Sequence, residues 1–179
     1  MRTNAVRDQI METASRLFYT QGYNNTGINQ IIEEAGIAKA SLYQHFSSKE
    51  ELLIEYLELA GLRMTDMFQA ATEAHASPAD KVTAIFDLLD QLVQRKTYNG
   101  CRFLNIISEI SMENERVRDQ VKAQKDSLRN LFAEILKPVR KESLADELYL
   151  LVEAVFISSK IYGQAWPVET AKRMVQKLM

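Results

Sequence analysis

A chain of 179 residues with 46% hydrophobic and 26% charged positions has the composition of a globular protein and can bury a core in one or two domains. Its net charge of −2, and the balance of Arg2, Arg7, Arg16 and Lys39 against Asp8, Glu12, Glu33 and Glu34, exclude a protein that grips nucleic acid by bulk positive field alone. No run approaches the ~18 apolar residues of a membrane span, the charged first turns lack a signal peptide's apolar stretch, and one cysteine excludes an internal disulfide, so the cytoplasm is the expected compartment.

Val6, Ile10, Ala14, Leu17 and Phe18 recur at helical spacing and predict a first helix ending near Thr20, with Gly22 in the turn beyond it. Thr26 is the expected N-cap of a short second helix that turns Ile28, Ile31, Ile32 and Ala35 inward and stops at Gly36. After Ile37-Ala38-Lys39, a third helix presents Leu42 and Phe46 to the core. Ser48 and Glu51 have the spacing of a reciprocal capping box, which opens a long fourth helix through Leu52, Leu53, Tyr56 and Leu57 to Phe68. Ser77-Pro78 starts a fifth helix that runs to about Lys96. Asn99-Gly100 breaks the chain, and a sixth helix is expected over residues 101–112. The seventh spans Glu115 to Leu136 and ends at Pro138; the eighth, residues 143–164, is apolar on more than one side; the last begins at Pro167. The expectation is an all-α fold of about nine helices, with an N-terminal helix-turn-helix domain at 4–64 (motif about 27–46) and a C-terminal domain at 65–179.

Two short helices joined by a Gly-containing turn make a helix-turn-helix, whose second helix can enter a major groove. With Leu42 and Phe46 inward, Lys39, Ala40, Ser41, Tyr43, Gln44 and His45 remain for solvent or DNA. Tyr43, His45, the Thr26 hydroxyl and the Lys49 ammonium can each donate to a phosphate oxygen, Lys49 beside the free amides that open the fourth helix. Lys39 and Gln44 are long enough to reach base edges, lysine preferring guanine and glutamine adenine, and the small Ala40 permits contact with a thymine methyl. Taken singly, Tyr43 is also a surface aromatic, His45 a solvated or capping histidine, and Thr26 only a cap; their order together points to DNA.

Residues Gly22 to Leu53, GYNNTGINQIIEEAGIAKASLYQHFSSKEELL, resemble the DNA-binding domain of the TetR family of bacterial transcriptional regulators. The matching elements are the Gly-Tyr turn, Thr26, the Ile31-Ile32-x-x-Ala35-Gly36-Ile37 core, Lys39-x-Ser41-Leu42-Tyr43-x-His45-Phe46 and Ser48-Lys49-x-x-Leu52, with Arg7 to Phe18 as the packing helix. This covers about the first third of the chain and implies DNA roles for Thr26, Lys39, Ala40, Ser41, Tyr43, His45 and Lys49. Gly27 departs from the hydroxyl or other small residue more usual there, and no extended basic arm precedes the first helix for a minor groove.

The wide apolar circumference of the eighth helix, with Ser158, Ser159 and Gly163 permitting close approach, fits either a central buried helix or a partner helix. The resemblance implies the second: a homodimer joined through the eighth and ninth helices, with Val155, Ser158, Ser159, Tyr162, Val168 and Val175 as candidate contacts. It also implies an effector pocket among the fourth to eighth helices, for which Met64, Phe68, Phe86, Tyr98, Cys101, Phe103, Met112, Tyr149, Tyr162 and Trp166 are candidate liners; their richness in Tyr and Met suits an apolar or aromatic ligand. Cys101, beside Arg102 near a helix start, is either a thiol sensor or a buried inert cysteine.

His45 and His75 are the only histidines and do not have metal-binding spacing, and no P-loop, dinucleotide glycine pattern or nucleophile motif occurs. The expected function is a sequence-specific, DNA-binding transcriptional regulator, neither an enzyme nor dependent on a metal or cofactor. Its simplest form is a repressor released from a palindromic, double-stranded operator by a small-molecule effector. The alternatives are an effector-independent DNA-binding dimer and an all-α enzyme.

Overall fold

The computed structural model describes residues 2–179, with side-chain surroundings from residue 5 onward. The side chains of residues 1–4, on which the question of a basic arm bears, lie outside the described residues. Among those described, nine α-helices follow in order: α1 (Arg2–Thr20), α2 (Ile28–Glu34), α3 (Lys39–His45), α4 (Lys49–Glu73), α5 (Pro78–Val93), α6 (Arg102–Ile107), α7 (Glu115–Leu136), α8 (Ala145–Tyr162) and α9 (Trp166–Leu178). Two 3-10 turns, Lys137–Val139 and Glu142–Leu144, link α7 to α8, and the described residues form no strand. None of these helices is long and apolar enough to cross a membrane.

The chain folds as two compact units: Met1–Ala60 with Arg102–Val121, and Gly61–Cys101 with Lys122–Met179. The first change of unit lies inside α4, close to the expected boundary after residue 64. The segment Arg102–Val121, expected in the C-terminal domain, instead packs with the N-terminal helices. In the first unit α1 buries Ile10, Ala14, Leu17 and Phe18, α2 buries Ile31, α3 Leu42, and α4 Leu52, Leu53 and Leu57. These are the apolar faces that the 3.6-residue period selects, and their removal from water drives the packing. In the second unit α5, α8 and α9 pack pairwise through Val82, Ile85 and Leu89, through Leu148, Val152 and Val155, and through Val168, Ala171 and Val175. Phe86 meets Phe132 with ring centroids 6.5 Å apart, and Lys172 of α9 reaches Asp87 and Asp90 of α5 at 2.6 and 3.6 Å.

Several helix ends differ from the sequence expectation, each for a local reason. The N-cap of α2 is Gly27, not Thr26: the Thr26 hydroxyl donates back to the Gly22 carbonyl at 2.7 Å and so closes the preceding turn. Ser48 accepts from the Glu51 amide at 3.1 Å, but the Glu51 carboxylate pairs with Arg116, so only half of the capping box forms. At the start of α5 Ser77 caps Asp80 N with Pro78 behind it, as expected, while the helix ends at Val93, short of Lys96. The greatest shortening is in α6, which stops at Ile107 rather than Met112. The Ser108 hydroxyl bonds the Asn105 carbonyl at 2.7 Å, and Asn114 Oδ1 accepts from Val117 N at 3.1 Å to begin α7. At its other end α8 stops at Tyr162, where Gly163 takes φ +60° and closes the helix.

Candidate nucleic-acid interface

The helix-turn-helix is held from within. Ile31, Ala35, Leu42 and Phe46 are buried, and the Gln9 side chain of α1 donates to the Ala35 carbonyl at 2.7 Å, satisfying an acceptor that the end of α2 leaves open. The chain then reverses at Gly36, whose φ of +62° a side chain would resist, and α3 starts from Ala38 without a side-chain cap.

Burying Leu42 and Phe46 decides what α3 shows outside. Lys39, Ala40, Tyr43 and Gln44 are exposed, Tyr43 to 47%, while Ser41 and His45 are half-buried. Lys49, at the start of α4, is half-buried, with its ammonium 4.2 Å above the ring of Tyr23. Tyr23 in turn meets Phe18 edge-on at 5.3 Å. Burial pushes the Lys49 ammonium below the usual lysine value and the Glu109 carboxylate opposes that shift, while burial and Glu50 push the Tyr23 phenol upward. Thr26 is fully buried, and its hydroxyl donates to the Gly22 carbonyl, which braces the turn. Nearby acidity is partly tied up: Arg16 and Gln30 hold the Glu34 carboxyl below the usual carboxylate range.

Sequence reasoning missed a second set of residues, all in the segment after Cys101. The Asn24 amide donates to Glu109 Oε2 at 2.8 Å, and Asn24 Nδ2 donates to the Glu109 carbonyl at 2.7 Å. The Arg102 guanidinium lies 3.9 Å over the Tyr19 ring and donates to the Tyr56 hydroxyl at 3.2 Å. Asn114 Nδ2 reaches Glu50 at 2.9 Å, and Arg116 grips Glu51. Side chains from far along the chain thus brace the turn before α2 and the first turn of α4. No short-range pattern announces such pairings.

The effector candidates scatter. Phe103 and Met112 belong to the first unit, Met112 being 75% exposed. In the second unit Phe68, Phe86 and Cys101 are buried, Met64 and Tyr149 are half-buried, and Tyr98 donates to the Phe156 carbonyl at 2.7 Å. Tyr162 and Trp166 are exposed and meet edge-to-face at 5.1 Å. A groove of about 240 Å³ between α4 and α7 is lined by Thr65, Phe68, Gln69, Gln124, Ser127, Leu128, Asn130, Leu131 and Glu134, and of the ten candidates Phe68 alone lines it. The cation beside Cys101 is not Arg102 but Lys125, whose Nζ lies 3.5 Å from Sγ and 2.7 Å from Glu153.

The dimer candidates divide by burial. Val155, Ser159, Val168 and Val175 are buried inside their own unit, because the narrow apolar stripe of α9 is spent on α5 and α8; Ser158 is half-buried and Tyr162 exposed. On α8 and α9 the large apolar side chains left outside are Leu150, Ile157, Ile161, Tyr162, Trp166 and Met174. Among the described residues, no three His, Cys, Asp or Glu side chains cluster to hold a metal ion.

The family model for bacterial regulatory proteins of the tetR family matches residues 10–56. The HTH-type transcriptional regulator LmrA of Bacillus subtilis is 32% identical over 156 residues, 83% of this chain and 81% of LmrA. YxaF, an uncharacterized HTH-type transcriptional regulator of the same species, is 34% identical over 114 residues, 63% of this chain and 60% of its own length. The crystal structure of SCO4454, a TetR-family transcriptional regulator from Streptomyces coelicolor, superimposes with a TM-score of 0.91 at 25% identity, covering 97% of this chain and 93% of SCO4454. CifR, a TetR-family regulator solved as a cysteine mutant with 26 bp of double-strand operator DNA, shares the fold at a TM-score of 0.80 and 20% identity, over 96% of this chain and 93% of CifR. The motif order, the exposed face of α3 and the likeness along nearly the whole length agree: the chain belongs to the TetR family and is a transcriptional regulator that binds DNA through the helix-turn-helix of α2 and α3.

Proposed function

We propose that the protein is a homodimeric repressor that occupies a palindromic operator and leaves it when a small-molecule effector binds the second unit. The carrying observation is the division of α3: Leu42 and Phe46 are locked inside while Lys39, Ala40, Tyr43 and Gln44 face out. Tyr43, His45 and Lys49 serve as phosphate donors, and Lys39 and Gln44 as readers of base edges. That CifR, of the same fold, was solved with operator DNA supports operator binding here. The natural compartment is the cytoplasm, where operator DNA is accessible, and the activity is binding rather than catalysis.

Leu150, Ile157 and Ile161 of α8 stay exposed along one helix, an apolar stripe suited to a second copy of the chain. A twofold pair presents two recognition helices to half-sites about 34 Å apart, the spacing of one DNA turn. For the effector, the α4–α7 groove offers an apolar floor of Phe68, Leu128 and Leu131 and an amide rim of Gln69, Gln124 and Asn130. Its one charged liner is Glu134, which favours a neutral or cationic ligand over an anion.

Selection of binding sites from a random DNA library, followed by titration at several salt concentrations, tests the reading. Tyr43→Phe and Lys49→Ala are expected to weaken binding across all operator variants, whereas Lys39→Ala changes base preference. A selection that yields no sequence overturns the operator. Small molecules that release the complex and raise Tm identify the effector class, and a complex that none releases favours the effector-independent dimer.

A further inference from the structure

Beyond α6 the chain does not simply pass to α7; it brings Glu109 against the turn between α1 and α2. The Glu109 carboxylate accepts from the Asn24 amide at 2.8 Å, and its carbonyl accepts from the Asn24 side chain at 2.7 Å. Gly22 makes the approach possible. A Cβ on Gly22 would stand 2.8 Å from Glu109 Oε1 and 3.0 Å from Oε2, so the carboxylate would have to move away. The same turn holds Tyr23, on whose ring the Lys49 ammonium rests, and the Glu109 charge acts on that ammonium. Asn24, Tyr23, Lys49 and Glu109 therefore form one block at the entrance to the helix-turn-helix.

We propose that Glu109 is a positioning residue for DNA binding: it grips the α1–α2 turn and, through Tyr23, holds Lys49 where it meets the operator backbone. The proposal rests on the reading of Lys49 as a phosphate donor. Its force lies in a conflict of signs. A carboxylate near a phosphate site repels DNA, so if Glu109 acted by charge alone, every neutral substitution would tighten binding. A positioning role gives the opposite result for the variant that cannot hold the turn.

The experiment measures operator affinity and its salt dependence for Glu109→Gln, Glu109→Ala and Lys49→Ala in the full chain, with melting followed by circular dichroism. Glu109→Gln keeps an acceptor for Asn24 and removes the charge, so it binds as tightly as wild type or tighter. Glu109→Ala binds roughly tenfold more weakly, from the loss of a charge-assisted hydrogen bond and of the Lys49 contact. Its plot of log affinity against log salt is shallower by about 0.9, one phosphate contact, as in Lys49→Ala. The double variant Glu109→Ala, Lys49→Ala is no weaker than Lys49→Ala alone, because the two act through one contact. Tightening by Glu109→Ala, or an unchanged affinity and slope, overturns the positioning role. A Lys49→Ala titration indistinguishable from wild type overturns the phosphate role of Lys49 and the proposal with it; a Lys49→Ala loss beside an unaffected Glu109→Ala overturns only the proposal. If Glu109→Ala loses its cooperative melt, Asn24→Ala decides the matter: it removes one bond and lowers affinity roughly threefold, and no change overturns the role.

Discussion

Gly22 and Gly36 both have positive φ, +93° and +62°, and both end a helical stretch, yet they are unequal. A Cβ at Gly36 would meet nothing within 4 Å, so Gly36→Ala costs only the backbone strain of a left-handed alanine, about 1 kcal/mol. At Gly22 the same substitution also displaces the Glu109 carboxylate, whose hydrogen bond to Asn24 is then lost. Urea unfolding should therefore show a larger loss for Gly22→Ala than for Gly36→Ala, and adding Glu109→Ala should recover part of the former. From the sequence both glycines read as turn residues, and correctly so. Their difference was not legible, because the group that distinguishes them lies far along the chain and hydrophobic periodicity reports only near neighbours.

Among elements, the junction of α7 and α8 is where charge is most deeply placed. Lys125 and Glu153 pair at 2.7 Å with side-chain exposures of 14% and 16%. Burial pushes the Lys125 ammonium down, but the Cys101, Glu153 and Tyr149 charges together outweigh it and leave its pKa above the usual lysine value. Burial, with Glu153 adding to it, raises the Tyr149 phenol as well. Both groups hold their protons more tightly folded than unfolded. Their contribution to stability is complete below the unfolded values near pH ~10 and is lost as pH climbs through the folded ones. Denaturant titrations from neutral to alkaline pH should show a plateau and then a fall. Glu153→Gln should lower the plateau by about 2–3 kcal/mol, below the cost of breaking a wholly buried pair, and start the fall earlier. Helix order, the cap at Ser77 and the solvent face of α3 were legible because each is written in residues a few positions apart. Which apolar face of α8 and α9 stays open was not: periodicity marks a face as apolar but does not say whether its own chain already covers it. Val155, Val168 and Val175, candidate dimer contacts by the family resemblance, are buried where α5, α8 and α9 pack against one another. The short α6 escaped for a related reason, since Ile110 continues the helical spacing of Phe103, Ile106 and Ile107 while the backbone after Ile107 bends to deliver Glu109.

For the molecule as a whole, the exposed stripe of α8 makes assembly the first property to test. Replacing Ile157 and Ile161 by Asp changes two exposed side chains and should leave the fold intact while separating the copies. If the proposed homodimer is joined there, sedimentation gives one chain's mass in place of two, and operator affinity falls roughly 100-fold, because each half-site is held alone. An unchanged mass would move the interface elsewhere. A different consequence attaches to the composition of the first unit, which joins Met1–Ala60 to Arg102–Val121. A chain leaves the ribosome from its N-terminus, so α1 to α3 emerge well before the residues that brace them. At about 5–20 residues per second, the missing segment follows roughly 3–12 s later. During that interval Tyr19 and Tyr56 lack the guanidinium of Arg102, and Asn24 lacks Glu109. Translation-arrested chains ending shortly after Ala60 should be cut readily by protease within α1 to α3, and those extended far enough to release Val121 should resist. DNA-binding competence would then be acquired late in synthesis, and a nascent chain could not seize an operator before much of its second unit had appeared.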